Sequence, residues 1–316
     1  MMQTNAVLLR QPEQIVLETL PLDASGPADL VVAVDWSGIS TGTERLLFSG
    51  RMPSFPGMGY PLVPGYEAVG RVVEAGAGSG FSVGTPVFVP GAQCFGPVRG
   101  LFGASASRLV VPAARALKLG PANGDVPDRS FVLLALAATA QHALAAAPVL
   151  PELIVGHGVL GRLLARLVVA AGGTPVVWER DAARLGGAVG YSVLDPESDP
   201  RRDYRAIVDV SGDPALLDTL VGRAARGGSI VLAGFYPDRV GFAFAPAFMR
   251  EITLRVAAEW QRPDLETVQR MVADGVLSLA GLISHAQPAE NADCAYRTAF
   301  FDATCIKMVL DWSADA

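Results

Sequence analysis

The sequence has few of the residues that bind metals or form disulfides. It contains 3 Cys and 3 His among 316 residues, and no two cysteines form a C-x-x-C pair. Cys94, Cys294 and Cys305 are too few and too widely spaced for a disulfide framework. We therefore expect three structural cysteines in a cytoplasmic protein.

Charge and long apolar runs are also scarce. Charged residues make up 18% of the chain, the formal net charge is −6, and there is no Lys/Arg cluster, which argues against a nucleic-acid partner. The N-terminus lacks the charged and apolar zones of a signal peptide. The most apolar stretch, 130–150, is rich in Ala and holds Gln141 and His142. It predicts a buried helix and no membrane span.

The apolar pattern divides the chain into two parts. Up to residue 127, short apolar runs are separated by Gly and Pro, which predicts a β-rich domain with strands at 31–34, 69–73 and 87–89. From 128 to 284, continuous apolar runs lie at 152–155, 174–178, 206–210 and 229–233. Helical patterns, clearest at 160–171 and 214–225, lie between them. This alternation predicts an α/β domain with a doubly wound parallel sheet.

A glycine motif follows the first of these buried runs and opens the next helix. It reads Gly156-His157-Gly158-Val159-Leu160-Gly161. The first glycine permits a tight turn, the second lets backbone approach a pyrophosphate, and the third lets the helix pack on the sheet. The helix N-terminus then offers free N–H groups to the phosphates. In this context the motif predicts a dinucleotide site, with His157 lining the phosphate turn.

The next strand ends at an acidic residue. Glu179 lies 23 residues after Gly156, where a carboxylate binds the ribose 2′-hydroxyl and repels a 2′-phosphate. We therefore predict NAD as the cofactor. Arg180 follows directly, and its guanidinium leaves NADP open as the alternative.

Two segments of the β-rich part resemble the zinc-ligand segments of medium-chain alcohol dehydrogenases. They are 37–44, Ser-Gly-Ile-Ser-Thr-Gly-Thr-Glu, and 64–70, Pro-Gly-Tyr-Glu-Ala-Val-Gly. Ser40, Tyr66 and Ala135 stand where that superfamily has its metal ligands. A hydroxyl, a phenol and a methyl group cannot replace the thiolate and imidazole donors that zinc needs, so no metal is predicted.

This resemblance implies the fold and further cofactor contacts. It implies a GroES-like catalytic domain at 1–127, completed by 285–316, and a Rossmann nucleotide-binding domain at 128–284. Ser211 and Gly234 follow two later strands and are expected to line the nucleotide pocket. Since the superfamily often dimerises through the nucleotide domain, a homodimer is expected by analogy.

Without a metal, side chains must handle the proton of an alcohol substrate. The candidates are Tyr66 as proton donor or acceptor, Glu67 as an orienting or proton-transferring acid, Ser40 and Thr43 as a hydroxyl relay, and His142 as a shuttle. The structural alternatives are a packing role for Tyr66, a turn in which Ser40 and Thr43 bond to backbone, and a helix histidine with its own partner for His142. Glu44 is expected to be solvated or to start a helix.

Together with the loop 94–105, these segments resemble the family of 3-hydroxyethyl bacteriochlorophyllide a dehydrogenases, over essentially the whole chain. The resemblance implies zinc-free oxidation of a hydroxyethyl group of a bacteriochlorophyllide to acetyl with NAD. Phe48 and Met52 would then contact the macrocycle, and Arg51 and Arg99 its propionate. The alternatives are that the apolar pair covers a core and the arginines are solvated.

Two other classes of function stay open at this point. One is a zinc-free quinone or enoyl reductase that uses NADPH, against which Glu179 argues. The other is a module that binds cofactor or pigment without catalysis, since no residue is a certain base.

Overall fold

The computed structural model describes residues 2–120 and 127–313. The strands are β1 (Gln3–Gln11), β2 (Gln14–Pro21), β3 (Asp29–Ile39), β4 (Leu62–Val63), β5 (Ala68–Ala75), β6 (Pro86–Val89), β7 (Arg99–Gly100), β8 (Arg108–Pro112), β9 (Leu117–Lys118), β10 (Leu153–Val155), β11 (Val176–Trp178), β12 (Ser192–Leu194), β13 (Tyr204–Asp209), β14 (Ala224–Leu232), β15 (Thr253–Val256), β16 (His285–Pro288) and β17 (Met308–Asp311). The α-helices are α1 (Thr43–Phe48), α2 (Leu134–Ala146), α3 (Val159–Ala170), α4 (Leu217–Arg223), α5 (Phe244–Arg250), α6 (Arg262–Ala273) and α7 (Ala292–Phe301). The chain forms two compact units, which we call unit 1 (Met1–Ala135 with Ile283–Ala316) and unit 2 (Leu136–Leu282).

Unit 1 is built on two β-sheets. One has the order β2-β1-β4-β7, and the other has the order β16-β17-β3-β5-β6-β9 with β8 also paired to β3. Apolar residues of β1, β3 and β8 fill its core together with residues of α7 and β17. Because β17 pairs antiparallel with β3, residues 308–311 of the tail complete the sheet that begins with residue 29.

Unit 2 contains one six-stranded sheet with the order β12-β11-β10-β13-β14-β15. Every neighbouring pair in it is parallel. Numbered from its own first strand, this is the order 3-2-1-4-5-6 of a doubly wound dinucleotide-binding fold. The continuous apolar runs of β10 and β13 are buried, as a parallel sheet covered on both faces requires. The α/β fold class predicted from the sequence is thus confirmed.

Two local expectations were inaccurate. The helix predicted at 214–225 is a 3₁₀ turn (Pro214–Leu216) followed by α4, and Ala224 already takes extended backbone as the start of β14. Between β11 and β13, residues 179–203 are all described and contain a 3₁₀ turn at Ala182–Arg184 but no α-helix. The segment is held by hydrogen bonds from His157 and Arg162 to Arg184 and Tyr191, where a packed helix was expected.

One stretch, Arg129–Ala146, is long and apolar enough to be a candidate membrane span by length and composition alone. Of this stretch, 56% is buried. It comprises a 3₁₀ turn, Arg129–Leu133, followed by α2. This burial is what the core helix of a globular protein has, in line with the sequence-based expectation for this segment.

Candidate functional site

The glycine turn of unit 2 has the geometry that a phosphate-binding turn requires. Gly156 has a φ of +104°, in the left-handed region that favours glycine. A Cβ on Gly161 would lie 1.8 Å from the Gly156 carbonyl oxygen, so only glycine allows α3 to approach the turn. A Cβ on Gly158 would meet nothing within 4 Å, and no side chain caps the N-terminus of α3, which begins at Val159 and Leu160. The turn therefore leaves backbone N–H groups and open space for an anionic ligand.

The neighbouring strand ends bring the other predicted contacts to the same edge of the sheet. Gly156 follows β10, and the position of its Cβ is 3.4 Å from the Cα of Ser211, which follows β13. A Cβ on Gly234 would be 2.8 Å from the backbone nitrogen of Gly212. Since the strand order reverses between β10 and β13, this is the point where such sheets bind their ligands.

Glu179 is held at the end of β11 by backbone donors. Its Oε2 accepts from the His157 N–H at 3.2 Å, and its Oε1 accepts from the N–H groups of Arg180 and Asp181 at 2.9 Å. A carboxylate has lone pairs left for a ribose hydroxyl. The Arg180 guanidinium lies 3.5 Å from the Asp213 carboxylate. Arg180, whose charge left NADP open as the cofactor, is therefore already paired with Asp213.

His157 has a structural role that the sequence did not show. Its imidazole donates from Nδ1 to the Arg184 carbonyl oxygen at 2.6 Å and accepts at Nε2 from the Tyr191 hydroxyl at 2.8 Å. The guanidinium of Arg162 donates to the carbonyl oxygens of His157 and Arg184 at 3.0 Å. The turn is thus tied to the segment that lacks a helix, and burial lowers the pKa of His157, which favours the neutral ring.

Asp209, at the end of β13, supports the same edge. Its Oδ1 accepts from the Ser211 N–H at 2.8 Å, and its Oδ2 accepts from the Tyr236 hydroxyl at 2.9 Å. The Ser211 Oγ in turn accepts from the Asp213 N–H at 3.1 Å. These bonds fix the loop after β13.

In unit 1, two hydroxyl groups occupy the positions of the lost metal ligands and bond to each other. Ser40 follows β3 and Tyr66 precedes β5, and the Ser40 Oγ lies 2.7 Å from the Tyr66 hydroxyl. The Thr43 hydroxyl donates to the Ser40 Oγ at 3.4 Å. The Tyr66 ring lies edge-on to Phe102, with centroids 5.5 Å apart. We call Ser40, Thr43 and Tyr66 the hydroxyl cluster.

The hydroxyl cluster does not fit a zinc ion. Burial and the nearby Glu67 carboxylate raise the pKa of Tyr66 well above its usual value, so the phenol stays protonated at neutral pH. A protonated phenol, a serine hydroxyl and the buried methyl of Ala135 do not form a zinc donor set. Burial and the neighbouring negative charge thus both oppose ionisation of the Tyr66 phenol.

Glu67 forms a buried ion pair that sequence reasoning missed. The Lys307 ammonium group, just before β17, donates to Glu67 Oε2, and both side chains are buried. Burial raises the pKa of Glu67, and the Lys307 charge opposes that rise. A Cβ on Gly38 would clash with Glu67 Oε2 and crowd the Lys307 side chain, which explains the glycine in this segment. A lysine directly before the apolar run of β17 was the available signal.

The sequence suggested that Glu44 is solvated, but the structure buries it. It lies in the first turn of α1, as the helix-starting alternative expected, with 2% of its surface exposed. Its Oε1 accepts from the Ser40 N–H at 3.0 Å. Burial raises its pKa to about 7. The sequence missed this because the fold, and not the local pattern, covers α1.

His142 has a partner within unit 2. Its Nδ1 lies 2.9 Å from the Asp264 Oδ2, which also accepts from the Gln261 N–H at the start of α6. This contact supports the alternative of a helix histidine with its own hydrogen bond.

The four residues assigned to the substrate fall into two groups. Phe48 and Met52 belong to the core of unit 1, and the Phe48 ring packs 5.4 Å from that of Phe300. Their burial favours the core alternative over contact with a macrocycle. Arg51 and Arg99 are exposed, and the Arg99 guanidinium donates to the Tyr60 carbonyl oxygen at 3.4 Å.

Known proteins match this chain in sequence over its full length. Residues 26–121 match the alcohol dehydrogenase GroES-like domain. The chain is 58% identical to a 2-desacetyl-2-hydroxyethyl bacteriochlorophyllide A dehydrogenase of Cereibacter sphaeroides, over 100% of both chains. A protein of the same name from Rhodobacter capsulatus is also 58% identical, over 98% of this chain and 99% of its own.

Solved structures match the fold. The chain superposes on an L-idonate 5-dehydrogenase from Escherichia coli with a TM-score of 0.85 and 19% identity, over 98% of both chains. An alcohol dehydrogenase from Escherichia coli complexed with NADH gives a TM-score of 0.81 at 20% identity, covering 98% of this chain and 99% of its own. A zinc-binding dehydrogenase from Sinorhizobium meliloti bound to NADP gives 0.82 at 21% identity, covering 98% of this chain and 100% of its own.

Proposed function

This chain belongs to the family of 2-desacetyl-2-hydroxyethyl bacteriochlorophyllide A dehydrogenases, and we propose that it oxidises the hydroxyethyl group of a bacteriochlorophyllide to acetyl, with NAD and without zinc. The observation that carries the proposal is the combination of an intact glycine turn with a hydroxyl cluster in place of a metal site. The glycine turn that binds the hydride-accepting cofactor is kept, whereas the hydroxyl cluster replaces the metal that would polarise the alcohol.

The preference for NAD over NADP rests on charge. Structural neighbours bind NADH or NADP, so a nicotinamide cofactor is shared and its 2′ group decides the choice. Glu179 presents a carboxylate at the strand end where the ribose binds, and Arg180 is beside Asp213. The 2′-phosphate of NADP would be repelled by the Glu179 carboxylate. The Arg180 guanidinium would not offset this repulsion, because it is already beside the Asp213 carboxylate. When bound, the oxidised nicotinamide supplies a hydride acceptor.

Tyr66 acts as a neutral phenol in this proposal. Since its pKa is raised, it does not act as a phenolate base. Its hydroxyl bonds the substrate oxygen, and takes the leaving proton only as it passes its own proton to Ser40, 2.7 Å away. Ser40 in turn gives up a proton through Thr43 to bulk water. Thr43 holds the Ser40 hydroxyl in place. Glu67, held by Lys307, adds a buried charge whose field keeps the Tyr66 phenol protonated.

The arginines are proposed to bind the pigment. A bacteriochlorophyllide carries a propionate, and Arg99 and Arg51 are exposed on the surface of unit 1. With Phe48 and Met52 in the core, the macrocycle is expected to contact the remaining apolar side chains of the 53–60 loop, such as Phe55, which is 38% exposed.

A homodimer in the cytoplasm is also proposed. The edge strand β15 pairs with β14 on one side, and it carries apolar side chains into solvent. Val256 is 71% exposed, and the neighbouring α5 exposes 64% of Phe248 and 70% of Met249. A second copy that pairs with this edge would cover both features. Two of the three cysteines, Cys94 and Cys305, are buried, which suits a reducing compartment.

The test is a pigment assay. Purified protein is incubated with 3-(1-hydroxyethyl) bacteriochlorophyllide a and NAD or NADP, and the longest-wavelength absorption band is followed. Since an acetyl carbonyl extends the conjugation of the macrocycle, the band should move to the red, faster with NAD. Absence of a shift with either cofactor, despite pigment binding, would support the non-catalytic module. Consumption of NADPH with reduction of a conjugated double bond would support the reductase.

Two additions to the assay test the site itself. Tyr66→Phe should lower the turnover by about 100-fold or more, since it removes the proton-carrying hydroxyl. Tyr204→Phe is the matched control, because it removes another buried tyrosine hydroxyl, which bonds Asp199 at 2.6 Å in unit 2. Chelators should leave turnover unchanged, and elemental analysis that finds stoichiometric zinc, with loss of activity on its removal, would contradict the zinc-free proposal.

A further inference from the structure

The segment that follows Glu179 is fastened to the glycine turn by buried side chains. His157 Nδ1 lies 2.6 Å from the Arg184 carbonyl oxygen, and Arg162 Nη2 donates to the same oxygen at 3.0 Å. Since a carbonyl oxygen can only accept, Nδ1 carries the proton, and Nε2 of the neutral ring accepts from the Tyr191 hydroxyl at 2.8 Å. His157 is 0% exposed and Arg162 is 6% exposed. The imidazole therefore joins two points of the segment to the turn.

The backbone of His157 is fixed on both sides. Its N–H donates to Glu179 Oε2 at 3.2 Å, and its carbonyl oxygen accepts from Arg162 Nε at 3.0 Å. The bonds of the imidazole thus hold the residue whose N–H holds the carboxylate. The series runs by hydrogen bonds from Tyr191 through His157 to Glu179, and it lies wholly within unit 2.

Two glycines show that the segment is fitted closely to α3. Gly187 has a φ of +83°, and a Cβ there would collide with Arg162 Nη1. Gly190 has a φ of +78°, and a Cβ there would lie 2.9 Å from Val169 Cγ1. Arg162 is buried and donates to two carbonyl oxygens, so it has little room to yield. The segment is therefore positioned by a specific fit to His157 and Arg162.

The position of this segment decides which charge faces the 2′ group of the cofactor. Glu179 Oε1 accepts from the N–H groups of Arg180 and Asp181, which belong to the segment and move with it. The His157 N–H belongs instead to the turn that binds the phosphates, so this contact relates the carboxylate to the phosphate site. An arginine at the end of this strand can accommodate a 2′-phosphate, and Arg180 directly follows the acid.

We propose that His157 is a positioning residue for Glu179: it holds the carboxylate at a fixed place relative to the phosphate turn, and so sets the selectivity for NAD over NADP. This inference rests on the proposed function, in which NAD is the cofactor. Tyr191 and Arg162 act through His157. Without the imidazole, the carboxylate loses its fixed reference to the turn, and Arg180 gains freedom to meet a 2′-phosphate. Binding of the pyrophosphate, which both cofactors share, depends on the glycines and on the start of α3.

Isothermal titration calorimetry with NAD and with NADP tests the proposal without any turnover. The measured quantity is the Kd for NADP divided by the Kd for NAD. His157→Phe keeps a planar ring and removes both nitrogens, and it should lower this ratio by about tenfold. His157→Asn keeps a donor near the place of Nδ1 and should restore most of the ratio. A variant that merely loosens the fold weakens both cofactors alike and leaves the ratio unchanged.

Two tyrosine variants give a milder change and its matched control. Tyr191→Phe removes only the hydroxyl that bonds His157 Nε2, and it should lower the ratio by about threefold. Tyr204→Phe also removes a tyrosine hydroxyl from unit 2, one that bonds Asp199 at 2.6 Å and takes no part in the series from Tyr191 to Glu179. This control should keep the wild-type ratio.

A double-mutant cycle shows whether His157 acts through Glu179. With Glu179→Ala already in place, adding His157→Phe should leave the ratio unchanged within about twofold, because the group that His157 positions is gone. The same fall in the ratio in both backgrounds would mean that His157 acts without Glu179, and it would overturn the proposal.

The outcomes separate this inference from the proposed function. A wild-type protein that binds NADP as tightly as NAD would contradict the proposed cofactor, and this inference with it. If the wild type prefers NAD and His157→Phe keeps its ratio within about twofold, the inference is wrong while the proposed function stands. Should His157→Phe fail to fold, Tyr191→Phe decides, since an unchanged ratio in that variant also overturns the inference.

Discussion

Glu44 and Glu67 have the same chemistry, and their neighbours give them different states. Both are fully buried beside the hydroxyl cluster, and burial raises the pKa of each. Glu67 has the Lys307 ammonium group to hold its charge. Glu44 has a single backbone N–H on Oε1 and a phenol nearby. One acid is therefore fitted to stay charged and the other to change its charge.

The raised pKa of Glu44 predicts that stability falls as pH rises. The folded protein keeps this proton up to about pH 7, whereas the unfolded chain loses it near 4.5. Between these values the folded state binds more protons, so its contribution to stability is lost by pH 7 and stays lost above it. The difference corresponds to about 3 kcal/mol. Relative to wild type, Glu44→Gln should gain stability on going from pH 5 to pH 8 in urea unfolding.

A contrasting comparison for that prediction is Glu152→Gln: burial raises the pKa of the Glu152 carboxyl, but hydrogen bonds from Arg205 and the charge of Arg201 bring it below its usual value, so this variant should not gain stability from pH 5 to pH 8. Wild-type and Glu44→Gln unfolding curves that keep the same separation at both pH values would contradict it.

At the scale of elements, the two glycines at the start of α3 have different roles: Gly158 serves ligand binding and Gly161 serves folding. A Cβ on Gly158 enters open space, while a Cβ on Gly161 collides with the Gly156 carbonyl oxygen. We therefore expect Gly158→Ala to change stability by less than about 0.5 kcal/mol and to raise the Kd for NAD at least tenfold. Gly161→Ala should cost about 2 kcal/mol in unfolding free energy, because the helix must move from the sheet. Equal stability losses in the two variants would refute this assignment.

The Glu67–Lys307 pair joins the start of β17 to the start of β5. Lys307→Met would leave a buried carboxylate without its cation, and we expect a loss of about 3–5 kcal/mol in unfolding free energy. Adding Glu67→Gln to Lys307→Met should restore part of that loss. A double-mutant cycle measured by denaturant unfolding tests this coupling. Additive losses would show that the pair is not coupled.

At the scale of the whole molecule, the exposed edge of β15 predicts the oligomeric state. Val256→Glu should place a charge in the proposed interface and give a monomer, measured by sedimentation velocity. Val83→Glu is the control, since Val83 is an equally exposed apolar residue, 68% accessible, in unit 1. A dimer that survives Val256→Glu, or a wild-type monomer, would contradict the proposed interface.

Much of the fold was predictable because it depends on local pattern. The buried β runs at 152–155 and 206–210 and the helix after the glycine motif lie where the sequence indicated, since apolar periodicity and glycine spacing act within a few residues. The short α4 and the missing helix at 179–203 were not predictable. There, contacts from residues far along the chain, such as His157 with Tyr191, replace local helix formation.

The sequence by itself determined the family, the dinucleotide turn and the loss of the zinc donors, because each is set by residue types at fixed spacing. Only the tertiary structure decided how the lost donors are replaced. Ser40 and Tyr66 are 26 residues apart, and Lys307 is 240 residues beyond Glu67. Folding of β3, β5 and β17 into one sheet brings them together and excludes water. Without that burial, Glu44, Glu67 and Tyr66 would titrate as ordinary side chains.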